Sequence, residues 1–144
     1  MKILFGAIFF LFIAITAHSQ SYDGKGDSKI NVGYNIYGYE NGSGIKATYS
    51  YGLSDLFSLG AGATYYFNNE DNDYFLYARA SFHLGPLMDL PPKLDIYPGV
   101  EIGYLSSQNV GLAAYLGIRF FFNDRIGIYT ELGSYGAIGL SVCI

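Results

Sequence analysis

The chain has 144 residues, enough for one domain. It is 51% hydrophobic and only 14% charged, against about 25% charged in a typical soluble domain, so a wholly water-facing surface would be unusually poor in charge. The formal net charge of -4 excludes a general basic footprint for nucleic acid, and the one cysteine, Cys143, excludes an intrachain disulfide and a thiolate-built zinc site.

Residues 1–19 read as a secretory signal segment. Lys2 gives a positive start, Ile3 to Ala17 is almost continuously apolar, and Ala17-His18-Ser19 has the small-x-small pattern of a cleavage site. The run is too short for a spanning helix, and no cysteine near the site supports a lipoprotein anchor. Residues 20–28 are polar and glycine-containing, and are expected to form a flexible periplasmic lead. The domain proper is expected over 29–144.

From Lys29 onward the apolar residues alternate with period two, as strands require because successive side chains point to opposite faces. Ile30, Val32, Tyr34 and Ile36 share one face of the first segment; Asn31, Gly33, Asn35 and Tyr37 share the other. Glu40 to Ser43 contains Asn-Gly, a hairpin signal that outweighs the glycosylation sequon it also spells. Ile45, Ala47, Tyr49 and Tyr51 follow, then a tight link at Leu53-Ser54-Asp55. Phe57 to Phe67 forms the third segment, and Asn68 to Asp73 a solvated loop without EF-hand spacing. Tyr74 to Phe82 is the fourth. Gly85 to Leu94, with Pro86, Pro91 and Pro92, is poor strand material. Ile96 to Tyr104, Val110 to Phe120, Ile126 to Leu132 and Ile138 to Ile144 complete eight segments, separated by Ser106–Asn109, Asn123-Asp124 and Gly133–Gly136.

A helical account does worse, because each interior glycine costs a helix about 1 kcal/mol relative to alanine and the segments are dense in glycine. Eight strands of this length match the smallest common membrane-spanning barrel, whose strands need about 9–11 residues. Closure also removes the unpaired edges that hydrocarbon cannot satisfy. The expected fold is therefore all-β, an eight-stranded antiparallel up-and-down transmembrane barrel.

The charges fall on one face. Lys46, Arg79, Glu101, Arg119, Arg125 and Glu131 alternate with glycine, serine and tyrosine, whereas the face with the larger apolar residues carries essentially none. Lysine or arginine facing lipid near mid-membrane costs about 2–4 kcal/mol, so these groups belong inside. The expectation is an interior network of Lys46, Arg79 and Arg119 with Glu101 and Glu131, joined by Tyr77, Tyr115 and Tyr129, with Arg125 near a rim. Eight strands enclose a space that side chains fill, which makes the network a structural plug; a narrow pore for small solutes is the alternative. On the outer face, Tyr34, Tyr49, Tyr51, Phe57, Tyr65, Phe67, Tyr74, Phe82, Tyr104 and Phe120 mostly lie towards segment ends, as interfacial girdles require.

The pattern from Tyr22-Asp23-Gly24-Lys25-Gly26-Asp27 to Val142-Cys143-Ile144 resembles the small outer-membrane β-barrel proteins of Bacteroidetes-type bacteria, many of them grouped only as a domain of unknown function. More broadly it is similar to eight-stranded barrels typified by the transmembrane domain of outer membrane protein A. The resemblance implies an outer-membrane location reached by secretion, with outer-membrane lipid as the principal partner. It also implies insertion by the barrel assembly machinery, which recognises a C-terminal strand that usually ends in an aromatic residue. Gly139 to Ile144 matches that strand, with Ile144 departing from the aromatic preference. Both ends of the chain would face the periplasm, leaving Glu40–Ser43, Asn68–Asp73, Ser106–Asn109 and Gly133–Gly136 outside the cell.

No enzyme is expected. His83 and Ser81 share a strand face, but that spacing does not make a triad, and no P-loop or metalloprotease motif occurs. No cofactor, nucleic acid or specific protein partner is expected either. The rival to the membrane barrel is a soluble, secreted lipocalin-like barrel with its apolar face turned inward around an apolar ligand.

Overall fold

The computed structural model describes residues 22–38, 42–67, 73–106 and 109–144. The expected signal segment and most of the loops at 39–41, 68–72 and 107–108 lie outside the described residues. Eight strands form in chain order: β1 (Ser28–Tyr37), β2 (Ser43–Gly52), β3 (Phe57–Phe67), β4 (Asp73–Phe82), β5 (Leu94–Leu105), β6 (Gly111–Phe121), β7 (Ile126–Gly133) and β8 (Gly136–Cys143). Each pairs antiparallel with its chain neighbours, and β8 pairs with β1 to close the barrel. Alternation and short turns leave each strand nowhere to pair but beside the one before it, and closure satisfies the last edge.

The lower end of the barrel is where β1 begins and β8 finishes. It carries the turns at 53–56 and 122–125 and the stretch between β4 and β5. That stretch includes a single helical turn, α1 (Gly85–Met88), entered through Pro86 and ended by Asp89 in the left-handed conformation. β5 starts at Leu94 and accommodates Pro98 where its neighbour runs out: the ladder to β4 ends at Ser81 opposite Gly99, beside the proline nitrogen that cannot donate.

Two expectations are corrected at the strand ends. Tyr37 does not continue the inner face of the first segment. A register irregularity between Asn35 and Tyr37 in the β1–β8 ladder turns it outward, and it is exposed. The polar lead is not a loose tether over its described part. Residues 22–27 fold across the lower mouth, where the Gly26 N–H donates to the Gly52 carbonyl at 2.9 Å and the Gly52 N–H to the Asp27 carbonyl at 2.7 Å. Asp27 is thereby buried.

The two faces of the wall are opposite in chemistry. Val32, Leu76, Val100, Ile102, Leu112, Leu116 and Ile138 point outward and are all about half exposed, whereas Lys29, Lys46, Arg79, Glu101, Arg119 and Glu131 point inward and are buried. The lipocalin-like alternative required the reverse, so it is set aside. Outer aromatics form two belts. Tyr34, Tyr65, Phe67, Tyr74 and Tyr104 ring the upper part; Tyr49, Tyr51, Phe57, Phe120 and Phe122 ring the lower, joined by the partly covered Phe82.

Glycines on the inner face provide the room that the inward tyrosines fill. Tyr77 lies opposite Gly62 across β3–β4, and Tyr97 opposite Gly117 across β5–β6. A Cβ at Gly62 would lie 2.7 Å from both Tyr77 Cε2 and Thr48 Cγ2. Gly62→Ala is therefore expected to force the Tyr77 ring off the wall and to cost about 1–3 kcal/mol, read as a lower urea midpoint in detergent micelles. An unchanged midpoint would mean that the ring does not rest on the glycine.

Candidate functional site

The lumen is built in three layers of inward side chains. In the middle layer the β4–β5 register sets Arg79 directly opposite Glu101, while β2 and β7 deliver Lys46 and Glu131 from the rest of the wall. Lys46 Nζ lies 2.7 Å from Glu101 Oε1 and 3.3 Å from Glu131 Oε1. Arg79 Nη2 lies 2.6 Å from Glu131 Oε2, and Nη1 lies 3.5 Å from Glu101 Oε1. Two cations and two carboxylates thus cancel in a buried space, where an unpaired charge would be very costly.

Tyrosines complete the coordination. Tyr135 donates to the carboxylates, its hydroxyl 2.9 Å from Glu101 Oε1 and 2.8 Å from Glu131 Oε1, and Tyr97 donates to Glu131 Oε2 at 3.0 Å. Arg79 Nε donates to the Tyr115 hydroxyl at 3.2 Å, and its guanidinium lies 4.4 Å from the Tyr115 ring centre. Lys46 Nζ sits 3.7 Å from the Tyr135 ring centre and 5.2 Å from that of Tyr77, geometries that favour a desolvated cation.

Above this, Tyr66, Phe75 and Leu105 are fully buried and close the upper lumen, with Asn35 Nδ2 donating to the Tyr66 hydroxyl at 3.3 Å. Below it, Lys29 pairs with Asp27 from the folded lead. Arg119 lies 3.9 Å from Asp95 and stacks 4.4 Å from the Tyr97 ring centre. His83 joins Asp95 at 2.5 Å through Nδ1 and Ser58 at 2.8 Å through Nε2. The Tyr22 ring lies flat on His83, with centroids 3.5 Å apart and planes 7° from parallel. Burial pushes the Tyr22 phenol up, with Asp27, Asp95 and Asp55 adding to the rise. Asp23, Asp27 and Cys143 bring three donor atoms within 4.8 Å of one another, but Lys29 already neutralises Asp27.

Of the expected network, the structure brings Lys46, Arg79, Glu101 and Glu131 together, with Tyr77 and Tyr115 in their walls. Two members are placed differently. Arg119 faces inward, but its register partners are Asp95 and Tyr129 rather than a glutamate, so it belongs to the lower layer. Tyr129 is buried over Gly33 and Gly139, and its hydroxyl has no hydrogen-bond partner among the described residues. It lines the wall without joining the charges. Arg125 is exposed in the lower turn, near the rim as expected. Tyr135 falls inside the expected turn Gly133–Gly136, yet it shares the parity of Ala137, Gly139 and Ser141, and that parity is the signal that points it inward. Lys29, Asp95 and Tyr97 share the inner parity of their strands in the same way. Ser81, the serine considered with His83, instead lies 2.5 Å from the Tyr115 hydroxyl.

An apolar outer wall around a neutralised, side-chain-filled lumen defines the class: a small up-and-down barrel of the transmembrane type. The chain belongs to the DUF6646 family, a family of unknown function, whose model matches residues 10–138. Its fold is similar to a de novo designed transmembrane β-barrel, with a TM-score of 0.70 and 19% identity over 85% of this chain and 98% of that one. It is also similar to the N-terminal β-barrel domain of Pseudomonas aeruginosa OprF, with a TM-score of 0.60 and 12% identity over 85% and 100% of the two chains. The designed barrel TMB2.3 superposes with a TM-score of 0.56 and 21% identity, over 85% of this chain and 97% of that one. At these identities the likeness concerns the fold alone. No curated protein matches the sequence significantly.

Proposed function

We propose that this chain is an integral outer-membrane β-barrel of a Bacteroidetes-type bacterium, with a structural or surface role and a lumen closed by its own side chains. Secretion precedes insertion by the barrel assembly machinery, the lower end faces the periplasm, and outer-membrane lipid covers the wall. The observation that carries this reading is the inversion of polarity, with large aliphatic side chains outside and paired charges within. In water such a wall would be an aggregation surface; in hydrocarbon it is the required one. The aromatic belts support it, because tyrosine and phenylalanine gather at headgroup depth.

Fractionation of the natively expressed protein, with alkaline carbonate extraction of the membranes, tests the location. Retention in the outer-membrane pellet is expected; release as a soluble protein would overturn the reading. In planar bilayers the purified barrel is expected to hold the baseline current, because the middle layer plugs the lumen. Discrete conductance steps would replace the plug with the narrow-pore alternative.

A further inference from the structure

The lower layer contains an arrangement that a lumen plug does not require. Ser58 lies at the start of β3, His83 just beyond β4 and Asp95 at the start of β5, so the adjacent lower ends of three strands assemble them. All three are buried. Ser58 Oγ is 2.8 Å from His83 Nε2, and His83 Nδ1 is 2.5 Å from Asp95 Oδ2. A single tautomer serves both contacts: Nδ1–H donates to the carboxylate, and Nε2 accepts the serine proton. Burial holds the His83 imidazole below its ordinary value, helped by Arg119 and Lys29 against the pull of Asp95, so the ring is neutral at pH 7, the form a general base needs.

Lys29 and Arg119 line the same small cavity as Ser58 and His83. Tyr22 forms the lid of this cavity. Its ring covers His83, and its hydroxyl donates to the Ser54 and Phe57 carbonyls at 2.6 and 2.7 Å. Tyr22 also walls a groove of about 200 Å³ at the lower mouth, where Pro86, Leu90, Pro92 and Leu94 give apolar surface and Asp89 and Asp95 give polar surface. Tyr22 thus borders both the groove and the cavity.

We propose that Ser58, His83 and Asp95 form an acyl-transfer relay for an aliphatic carboxylic ester, closed in this structure by Tyr22. The groove takes the acyl chain. As Ser58 Oγ bonds to the carbonyl carbon, His83 Nε2 takes the hydroxyl proton. The carbon–oxygen bond to the alcohol then breaks, and the alcohol leaves with that proton. Water adds to the acyl-serine, giving its proton to His83; Oγ departs, reclaims that proton and releases the acid. Asp95 is a positioning residue that holds the imidazole tautomer. The relay rests on the closed barrel and not on which membrane holds it.

The test uses the full processed chain folded in detergent micelles, with p-nitrophenyl butyrate as substrate and a fluorophosphonate probe. Ester hydrolysis and labelling of Ser58 are expected, both lost in Ser58→Ala. Tyr22→Ala is expected to raise the rate about tenfold by removing the stacked lid. Asp95→Asn, which keeps the side chain's size at the groove wall, is expected to lower kcat by about 10⁴-fold with a much smaller change in KM, since it disturbs the imidazole tautomer. Heat-modifiable gel mobility reports folding of every variant. Fatty acid release from phospholipid mixed micelles would identify membrane lipid as the ester's source; turnover of the nitrophenyl ester alone would identify a water-soluble one. Absence of labelling and of Ser58-dependent hydrolysis in both the unaltered chain and Tyr22→Ala, with both folded, would overturn the proposal.

Discussion

Glu131→Ala is expected to destabilise the barrel by about 3–5 kcal/mol, the cost of leaving buried partners uncompensated. Glu131 is fully buried and takes contacts from Arg79, Lys46, Tyr97 and Tyr135. Its loss leaves two cations facing the single carboxylate of Glu101, which is 2.7 Å from Lys46 and 3.5 Å from Arg79. The double variant Arg79→Met/Glu131→Leu is expected to lose less than Glu131→Ala alone, because it removes one charge of each sign and keeps the Lys46–Glu101 pair. Urea unfolding in phospholipid vesicles, followed by gel mobility, measures both. If the double variant lost the sum of its two single changes, the four groups would not be acting as one neutral unit.

Val100→Arg is expected to cost about 2–4 kcal/mol in a bilayer, the penalty for arginine on the lipid face near the midplane. Val100 points outward from the middle of β5 and pairs with Ala80 and Ala114, between the two aromatic belts. Val110→Arg, at the upper rim just before β6, is expected to cost only about 0–1 kcal/mol, because cost falls with distance from the midplane. Equilibrium unfolding of both variants in vesicles measures the difference. A protein whose wall faced water would show both changes within about 0.5 kcal/mol of zero, and such a result would remove the lipid from the account.

The strand count, the antiparallel order and the face of each residue within regular ladder were legible in the alternation alone; Tyr37, beyond the irregularity at the end of β1, was not. A side-chain period of two carries that information locally: once Leu116 and Ile118 are outside, Arg119 must be inside. Hairpin turns between successive segments then imply the neighbours, and the need to satisfy the last edge implies closure.

Height in the lumen was not legible in the same way. Arg119 has the right parity to meet Glu131, but the β6–β7 register puts Gly117 opposite Glu131 and sets Arg119 one step lower, beside Asp95 and Tyr129. Tyr135 was hidden by the turn around it, although it reaches both glutamates. The folded lead was hidden for another reason. Its polar residues resemble a free tether until Gly52 offers both a carbonyl and an N–H at the mouth. Sequence by itself thus determined topology and the two faces, because those depend on local period. The depth of each inward group, the neutral cluster of four charges and the Ser58–His83–Asp95 relay were decided only by inter-strand register and by closure, which bring together side chains that no local pattern relates.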